Sequence, residues 1–417
     1  MKPTPLHSIP GTDAPLRFLL YSHDGLGLGH TRRNLALAAA VTRLAPLSSV
    51  LMATGTDDAH RLGLPPGVEI LKLPALRKTA NNVYLSRRMP IGADDLRRLR
   101  ASLLEASVRS FEPHVVLVDK HPFGARGEFR AGLDAARRQG AHLVLGLRDI
   151  LDDPATVRRE WAEYGLQQAI AALHDLVLVY GEQAVFDPIL EYGFPESVSE
   201  RTRFCGYVVN QDNGPVPEDE SIRFPISSPQ RPVVLATAGG GEDGAVLLKN
   251  FLRACQGAPW QGVVIAGPMT PESDLQQLRT LAVAAAVPLH TFVPRLPTLF
   301  PKVDALVCMG GYNTLSEAMS AAMPTVCVPR SVPRAEQLLR ARAFHNLDLL
   351  QVVEPEHLEP DTLRAAVTRA LATDRPALHR RVRASLNFDG DTRAARELVA
   401  LANSPASALA CVPTELD

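Results

Sequence analysis

Cysteine is scarce in this 417-residue sequence: it occurs five times, at scattered positions, and no two cysteines form a Cys-x-x-Cys pair. This pattern excludes a disulfide framework and provides no zinc motif. Cys308 and Cys327 fall within apolar runs, so we expect them to pack as small hydrophobic side chains. The net charge of −1 gives no electrostatic reason to expect a nucleic-acid partner.

Long hydrophobic runs are also missing. None approaches the ~18 residues that a membrane-spanning helix needs. Residues 1–15 are rich in Pro, Ser and Thr and contain no apolar core of the kind found in secretory signals. We therefore expect a cytoplasmic protein. The apolar fraction of 46% and the charged fraction of 21% are typical of globular domains.

Short apolar runs rich in Val, Leu and Ile alternate with longer amphipathic stretches along the chain. Several runs are continuous in hydrophobicity, which is typical of strands covered on both faces of a parallel sheet. The repeated strand–helix units predict an α/β protein with two doubly wound, Rossmann-like domains. The predicted strands are 17–22, 48–53, 68–73, 115–118, 143–147, 176–179, 233–237, 263–266, 289–293, 305–308, 325–328 and 350–353.

The composition changes once, in a polar stretch with Gly and Pro that begins at residue 210 and continues to 232. We interpret it as an interdomain linker. The carboxyl ends of the strands should then line a cleft between the domains. The predicted organisation is a flexible segment at 1–15, an N-terminal domain at 16–210, a linker at 211–230, a C-terminal domain at 231–388, a final helix at 389–403 and a disordered tail at 404–417.

The segment most informative about function is residues 303–329. Its pattern predicts a buried strand, a Gly-Gly turn, a helix and a second buried strand. Gly310 and Gly311 allow a tight turn and the close approach of a ligand. The N-terminus of the following helix favours a phosphate. Thr314 can donate to a phosphate oxygen, and Glu317, on the same helix face, can accept from both hydroxyls of a ribose. The segment therefore predicts a nucleotide site.

A second glycine turn in the same half, Gly239, Gly240 and Gly241, follows a predicted strand and precedes a helix. Such a junction suits a diphosphate. The turn lacks the Lys-Ser/Thr ending of a P-loop, so hydrolysis of a nucleoside triphosphate is not indicated. Taken alone, the turn is equally well explained as structural.

The first predicted strand is followed by a third glycine loop, which includes Gly27 and Gly29 and leads to His30. The spacing departs from the dinucleotide fingerprint, and no acidic residue follows the second strand, so an NAD site is not favoured. A neutral imidazole at His30 can accept a proton from a hydroxyl nucleophile. A histidine that only hydrogen-bonds the loop is an equal alternative, and His23 and Asp24 compete for the same role.

Asp119 follows four apolar residues, so it should emerge where a buried strand meets the cleft. A carboxylate at this place can orient a histidine and stabilise its protonated form. The alternative is a loop carboxylate that caps a turn.

These motifs, taken in order with Pro324, Val328 and Pro329, resemble the donor-binding domain of GT-B glycosyltransferases, especially the MurG-like group with a family 28 C-terminal domain. Residues from about 17 to 402 look like bacterial predicted glycosyltransferases of that superfamily. The resemblance departs at Met323, where the family often has Gly, and at Glu336, where it often has Asp.

The resemblance implies a role for each matching position. The backbone of Val293 would contact the nucleobase, Glu317 the ribose, and Glu336 and Gln337 the sugar hydroxyls. His30 would be the base and Asp119 its orienting carboxylate. The diphosphate would be surrounded by Gly239, Gly240, Gly241, Gly310, Gly311 and Thr314, with Gly27 and Gly29 on the opposite side.

The expected function is a metal-independent, inverting glycosyltransferase that uses a nucleoside-diphosphate sugar, UDP-linked, and an acceptor hydroxyl, without a further cofactor. Two helix N-termini can meet the charge of the departing diphosphate. The Asp389-Gly-Asp391 string is better explained as a helix cap than as a metal site. A nucleotide-sugar epimerase and a non-catalytic nucleotide-sugar-binding protein are the alternatives. The sugar, the acceptor and the oligomeric state have no signal in the sequence.

A basic stretch interrupts the first domain and is a candidate for contact with an anionic acceptor or a membrane surface. Asp94 and Asp95 break it up, so a solvated loop and helix face is favoured over a peripheral membrane site. Its members are Arg77, Lys78, Arg87, Arg88, Arg97, Arg98 and Arg100.

Overall fold

The computed structural model describes residues 15–23, 29–56, 63–78, 84–209, 224–293 and 295–405, arranged as two parallel sheets covered by helices. The first sheet has the order β3-β2-β1-β6-β7-β8-β9 and the second has the order β12-β11-β10-β13-β14-β15. The first sheet is formed by β1 (Arg17–Tyr21), β2 (Ser49–Thr54), β3 (Val68–Lys72), β6 (Val115–Asp119), β7 (His142–Arg148), β8 (Leu176–Tyr180) and β9 (Thr202–Phe204). The second is formed by β10 (Val233–Thr237), β11 (Gln261–Ile265), β12 (Leu289–His290), β13 (Ala305–Cys308), β14 (Thr325–Cys327) and β15 (Gln351–Val352), and a separate antiparallel hairpin by β4 (Leu76–Lys78) and β5 (Tyr84–Ser86).

The helices connect the strands and cover both faces of each sheet. Those of the first half are α1 (Gly29–Leu44), α2 (Ala93–Phe111), α3 (Arg130–Arg138), α4 (Pro154–Glu163), α5 (Leu166–Leu173), α6 (Pro188–Tyr192) and α7 (Glu196–Ser199). Those of the second half are α8 (Ala245–Ala254), α9 (Glu272–Ala285), α10 (Tyr312–Ser320), α11 (Glu336–Asn346), α12 (Pro360–Leu371), α13 (Arg375–Ser385) and α14 (Gly390–Ala402).

The central strands are buried along their whole length, as their continuous apolar sequences predict. All five residues of β6, Val115–Asp119, are buried, and so are all five of β10, Val233–Thr237. Both doubly wound sheets were expected from the sequence. In each sheet the strand order reverses at one point, between β1 and β6 and between β10 and β13. In open parallel sheets, ligands bind outside the carboxyl ends of the strands at such a point.

Several element boundaries differ from the sequence-based expectation. β12 ends at His290, so Val293 lies in the loop that follows it. The short edge strand β9 and the β4–β5 hairpin were not predicted, because runs of three residues carry too little periodicity to identify.

The last helix, α14, returns to the first domain and packs against α1. The Asp389-Gly-Asp391 string at its start does not provide the expected cap, because the Asp389 side chain makes no capping hydrogen bond. Its two carboxylates form ion pairs instead: Asp389 with Arg393 at 2.9 Å, and Asp391 with Arg43 of α1 at 2.9 Å. Asp391 therefore connects α14 to α1, while the Asp389–Arg393 pair lies within the start of α14 itself.

The basic stretch of the first domain is not one solvated face. Arg100 is fully buried, and its guanidinium donates to both oxygens of Glu128, at 2.6 and 2.5 Å. Glu128 Oε1 also accepts from the Tyr21 hydroxyl at 2.5 Å. Arg98, in contrast, is exposed and pairs with Asp95 of the same helix. No helix in the described part of the chain is both long and apolar enough to cross a membrane.

Candidate active site

The reversal points of the two sheets place the predicted site residues at the cleft. His30 lies on α1, directly after β1, and Asp119 is the last residue of β6, the neighbouring strand. In the second sheet, Gly239–Gly241 follow β10, and Gly310 and Gly311 follow β13. The hydrophobic strand cores fix these loop positions, and the loops bring the polar groups together.

His30 and Asp119 are in direct contact. His30 Nδ1 lies 2.8 Å from Asp119 Oδ2, across 89 residues of sequence. When Nδ1 carries its proton and donates to Asp119, the lone pair of the neutral imidazole is on Nε2, and this is the atom that can accept a proton from a substrate. Asp119 is fully buried, whereas His30 is only half-buried. The imidazole therefore separates the carboxylate from solvent. The geometry is that of a base held in one tautomer by a carboxylate.

Arg33 is a third member of this cluster that sequence reasoning did not single out. Its Nη2 atom lies 2.5 Å from Asp119 Oδ2 and 2.9 Å from His30 Nδ1. Burial raises the pKa of the Asp119 carboxyl, but the charges of Arg33 and His30 outweigh it and hold that pKa well below its usual value. Asp119 is therefore ionised, and Arg33 balances its charge. The available signal was the spacing, because residues three apart share one helix face.

Two further histidines surround the base. The His23 ring lies 5.3 Å from that of His30 and 4.8 Å from that of His121, measured between centroids. Burial, together with the charges of His121 and His30, lowers the pKa of His23 well below its usual value. The lowered pKa makes the His23 imidazole a weak proton acceptor, so His30, which contacts Asp119 directly, is the better candidate for a base. Asp24, the other alternative, lies outside the described residues, as does Gly27.

The turn between β13 and α10 requires glycine at its first position. Gly310 has φ of +83°, and a Cβ there would meet Cys327 Sγ at 2.9 Å. Its carbonyl accepts a hydrogen bond from Arg340 Nη1 at 3.0 Å. Gly311 has an ordinary φ of −60° and faces open space, where an added Cβ would meet nothing. The turn thus leaves the N-terminus of α10 accessible to a ligand.

The turn after β10 has a similar character. Gly239 and Gly240 are exposed, whereas Gly241, with φ of +93°, packs against Gly267 and Thr270. The main chain of Gly240 accepts from the amide of Met269 at 2.9 Å, which fixes the turn against the β11–α9 loop. Arg330 connects the segment just after this turn to the start of α11, since its Nη1 atom lies 2.5 Å from Asp243 Oδ2 and its Nη2 atom lies 2.9 Å from Glu336 Oε1.

Glu317 is buried on α10, one turn after Thr314. Burial raises the pKa of the Glu317 carboxyl to about 7, and the positive charge of Arg32 on α1 opposes this only in part. Thr314 is half-buried, and its hydroxyl makes no hydrogen bond within the described part of the chain. Both side chains are therefore available to a ligand at the start of α10.

The remaining predicted contacts lie on the rim of the second domain. Val293 is buried, in the loop that follows β12. Glu336 is buried at the start of α11 and accepts from Arg330 Nη2 at 2.9 Å, while its Oε2 atom has no partner among the described residues. Gln337 accepts from the Arg330 amide at 3.3 Å. Two of the four polar atoms of these side chains, Glu336 Oε1 and Gln337 Oε1, are thus held by Arg330.

The two domains meet along the cleft through specific polar contacts. Arg340 of α11 donates to both oxygens of Asp149, each at 2.7 Å, and both side chains are buried. The Tyr312 hydroxyl accepts from the Val208 amide at 3.0 Å, and an added Cβ on Gly29 would lie 3.4 Å from Asn313 Nδ2. The start of α1 therefore faces the start of α10 directly.

Two doubly wound domains that face one another across such a cleft define the GT-B fold. The chain aligns over 93% of its length with the glycosyltransferase VinC in complex with dTDP, at a TM-score of 0.62, 19% identity and 99% coverage of that chain. It aligns equally far with a putative UDP-N-acetylglucosamine 2-epimerase from Listeria monocytogenes, at a TM-score of 0.61, 14% identity and 95% coverage. At these identities the likeness establishes the fold.

Within this fold, residues 240–394 match the model of the glycosyltransferase family 28 C-terminal domain. Over 245 residues it is 26% identical to the NDP-glycosyltransferase YjiC of Bacillus subtilis, covering 58% of each chain. Over 333 residues it is 24% identical to the UDP-N-acetylglucosamine--N-acetylmuramyl-(pentapeptide) pyrophosphoryl-undecaprenol N-acetylglucosamine transferase of a Nocardioides species, covering 75% of this chain and 78% of the relative. The chain thus spans just over half the length of the Bacillus protein, and the expected resemblance to MurG-like GT-B proteins is confirmed.

No cluster of three or more His, Cys, Asp or Glu side chains suited to a metal ion occurs among the residues that the structure describes. What the described residues offer is a buried carboxylate–imidazole pair on one side of the cleft. On the other side are two glycine turns at helix N-termini, with a buried carboxylate one turn along α10.

Proposed function

We propose that this chain is an inverting glycosyltransferase that moves a sugar from a UDP-linked donor to an acceptor hydroxyl, without a catalytic metal ion. The observation that carries the proposal is the 2.8 Å contact between His30 and Asp119, at the end of the first sheet that faces the start of α10. A base on one side of the cleft and a phosphate-binding turn on the other are the two parts that this transfer requires.

In the proposed reaction, the acceptor hydroxyl loses its proton to His30 Nε2 and its oxygen bonds to the anomeric carbon of the sugar. The bond from that carbon to the diphosphate breaks, and its electron pair leaves with the phosphate oxygen. Asp119 accepts the Nδ1–H hydrogen bond and stabilises the imidazolium that forms. The N-termini of α8 and α10 meet the charge on the diphosphate.

The nucleotide assignment is supported by Glu317. Its carboxylate can accept from both hydroxyls of a ribose, and it is buried one turn after the predicted phosphate contact at Thr314. The Bacillus relative is an NDP-glycosyltransferase and the Nocardioides relative takes a UDP-sugar, in agreement with a nucleoside-diphosphate donor.

A panel of nucleotides and nucleotide sugars in a thermal-shift assay identifies the donor, with UDP-linked sugars expected to stabilise the protein most. Release of UDP is then followed with acceptor hydroxyl compounds present, with and without EDTA. We expect acceptor-dependent turnover that EDTA does not reduce and a product of inverted anomeric configuration by proton NMR. Absence of any nucleotide binding would contradict the proposal.

An epimerase remains the second candidate because the Listeria protein shares the fold to the same extent. It needs no acceptor, so incubation with the donor alone separates the two activities. A changed sugar recovered from that incubation, with no acceptor product, would establish the epimerase instead. Binding without turnover in either assay would indicate a non-catalytic nucleotide-sugar-binding protein.

A further inference from the structure

Arg148 is the last residue of β7 and reaches the same edge of the sheet as Asp119, the last residue of the adjacent strand β6. Its side chain is half-buried, and its Nε atom is buried without a hydrogen-bond partner. Within the described ranges, the guanidinium forms no hydrogen bond or ion pair with any other residue. A charged group that is removed from water in this way normally has a partner, so the partner of Arg148 is to be sought in a ligand.

The carboxylates close to Arg148 are committed to other arginines. Asp149 gives both of its oxygens to Arg340, at 2.7 Å each. Glu336 Oε1 accepts from Arg330. These two carboxylates therefore do not neutralise Arg148 by direct contact.

The surrounding charge is also unusual for an arginine. Burial lowers the pKa of Arg148, and the like charges of Arg340 and Arg33 lower it further, against the opposing effect of Glu336 and Asp149. The guanidinium nevertheless stays protonated at any physiological pH. A cation that lies among other cations at the mouth of a cleft attracts an anion.

The chain of contacts around Arg148 leads to the phosphate turn. Its neighbour Asp149 holds Arg340, and Arg340 Nη1 donates to the carbonyl of Gly310. On the other side lies Arg33, which holds Asp119 and thus the base. Arg148 is therefore close enough to interact with both arginines, one of which contacts the carboxylate of the proposed base and the other the glycine turn at the start of α10.

We propose that Arg148 binds the β-phosphate of the nucleoside-diphosphate donor and stabilises the charge that this phosphate gains as the bond to the sugar breaks. This inference rests on the proposed function. The acceptor oxygen forms the new bond to the anomeric carbon, its proton goes to His30, and the electron pair of the broken bond goes to the β-phosphate oxygen that faces Arg148. Glu336 Oε2, which also lacks a partner among the described residues, is close enough to act on Arg148 and is placed to accept from a sugar hydroxyl.

The test compares UDP with UMP, which lacks the β-phosphate. Isothermal titration calorimetry at fixed pH and salt is carried out on the full-length wild type, Arg148→Met, Arg148→Lys and Arg253→Met. Arg253 is an exposed arginine on α8 that makes no contact with the cleft cluster, and it controls for the loss of one positive charge. Thermal unfolding and circular dichroism establish that each variant is folded.

We expect Arg148→Met to weaken UDP binding by about tenfold or more and UMP binding by less than about twofold, because one charge-assisted contact is lost. Arg148→Lys should lie between wild type and Arg148→Met, and Arg253→Met should match wild type. If Arg148→Met is unfolded, Arg148→Lys alone decides, through the ratio of UDP to UMP affinity.

The inference is overturned if UDP and UMP affinities stay unchanged or fall by the same factor. It is also overturned if UDP affinity is retained while binding of UDP-glucuronate is selectively lost, because the anion would then belong to the sugar. If the wild type itself binds no nucleoside diphosphate, the proposed function falls together with the inference. If the wild type binds UDP and Arg148→Met binds it equally well, the inference alone falls.

Discussion

Arg33 and His30 contact the same oxygen of Asp119, at 2.5 and 2.8 Å, so the carboxylate that orients the base is already neutralised by an arginine. The Arg33 guanidinium also lies over the rings of Tyr180 at 5.0 Å and of Tyr312 at 5.6 Å. Tyr312 is the first residue of α10, directly after the phosphate turn. The proposed base and the proposed donor site are therefore joined through one buried side chain, that of Arg33.

Removal of the Arg33 charge should take away the main influence that keeps the pKa of the buried Asp119 carboxyl low. We predict that Arg33→Gln moves the acid side of the pH profile of kcat/KM to higher pH, because Asp119 is then protonated over a wider range and no longer supports the proposed base. Arg33→Lys keeps the charge and should leave the profile near that of wild type. An unshifted profile in Arg33→Gln, with normal turnover, would show that Arg33 does not act on the base.

Loss of the base itself should affect chemistry and not binding. We predict that His30→Ala lowers kcat about 10²–10⁴-fold, in the range of general-base effects, while UDP affinity by calorimetry stays within about twofold. Asp119→Asn should also lower kcat, because the amide no longer holds the Nδ1–H tautomer. His23→Ala is the control, because this ring lies next to that of His30. If His23→Ala lowered kcat more than His30→Ala does, His23 would be the better candidate for the base.

If Glu317 accepts from the ribose as proposed, donor binding should depend on pH. Its folded-state pKa is raised to about 7, so the carboxylate is the main form only above that pH. A ribose that donates two hydrogen bonds favours the charged form, so binding should release a proton. We predict that UDP affinity falls about tenfold between pH 8 and pH 6, for a bound-state pKa of about 5 or lower.

The matched variant for this effect is Glu317→Gln, which cannot ionise. It should bind UDP more weakly at pH 8, and it should retain only the pH dependence that comes from the phosphate. The same reasoning predicts that UDP binds more tightly than dTDP in the wild type, because dTDP offers one ribose hydroxyl fewer. Equal affinities for UDP and dTDP in calorimetry would contradict the proposed contact between Glu317 and the ribose.

The two glycines of the phosphate turn should respond differently to alanine. Gly310→Ala forces a side chain into φ of +83° and against Cys327, so we predict a loss of unfolding free energy of about 1–3 kcal/mol. Gly311→Ala meets no atom and has an ordinary φ, so stability should be retained. UDP affinity should nevertheless fall in Gly311→Ala if a phosphate approaches this backbone. Urea unfolding measures the loss of stability, and calorimetry measures the loss of UDP affinity. If Gly311→Ala bound UDP as tightly as the wild type, the diphosphate would not lie against this turn.

The buried pair of Asp149 and Arg340 should be important for stability. Arg340→Met leaves the Asp149 carboxylate buried without its partner, and we predict a loss of about 3–5 kcal/mol in the free energy of unfolding. The control is Arg342→Met on the same helix, which breaks a pair of a largely exposed arginine with Glu354 and should cost at most about 1 kcal/mol. Chemical denaturation measures the free energy of unfolding of both variants. Equal losses in Arg340→Met and Arg342→Met would show that burial of the Asp149–Arg340 pair does not make it more important for stability.

The fold could be predicted from the sequence because its central strands are short, continuous apolar runs that alternate with amphipathic stretches, and such runs are typical of strands buried on both faces. The position of Asp119 could also be predicted, since a polar residue at the end of such a run must emerge at the sheet edge. Arg148 carries the same signal at the end of β7, but its importance depends on which neighbours are already paired, and only three-dimensional contacts reveal that.

The burial of Arg100 could not be predicted from the sequence. It lies among exposed arginines in a charged stretch, yet it is fully buried because Glu128, from a distant segment, supplies a partner inside the domain. Ion pairs between distant segments leave no periodic pattern in the sequence. The extent of β12 and the hairpin of β4 and β5 were missed for a related reason, as elements of two or three residues are set by tertiary contacts.

The return of α14 to α1 has a practical consequence for dissecting this protein. Helix α1, which carries His30, packs against α14, which lies more than 300 residues later in the sequence. The Arg43–Asp391 pair joins the two helices. Expression of the first half as a fragment that stops near residue 209 would uncover the back of that helix. A fragment intended to bind acceptors should therefore have 390–402 grafted back on, by fusion or as an added peptide.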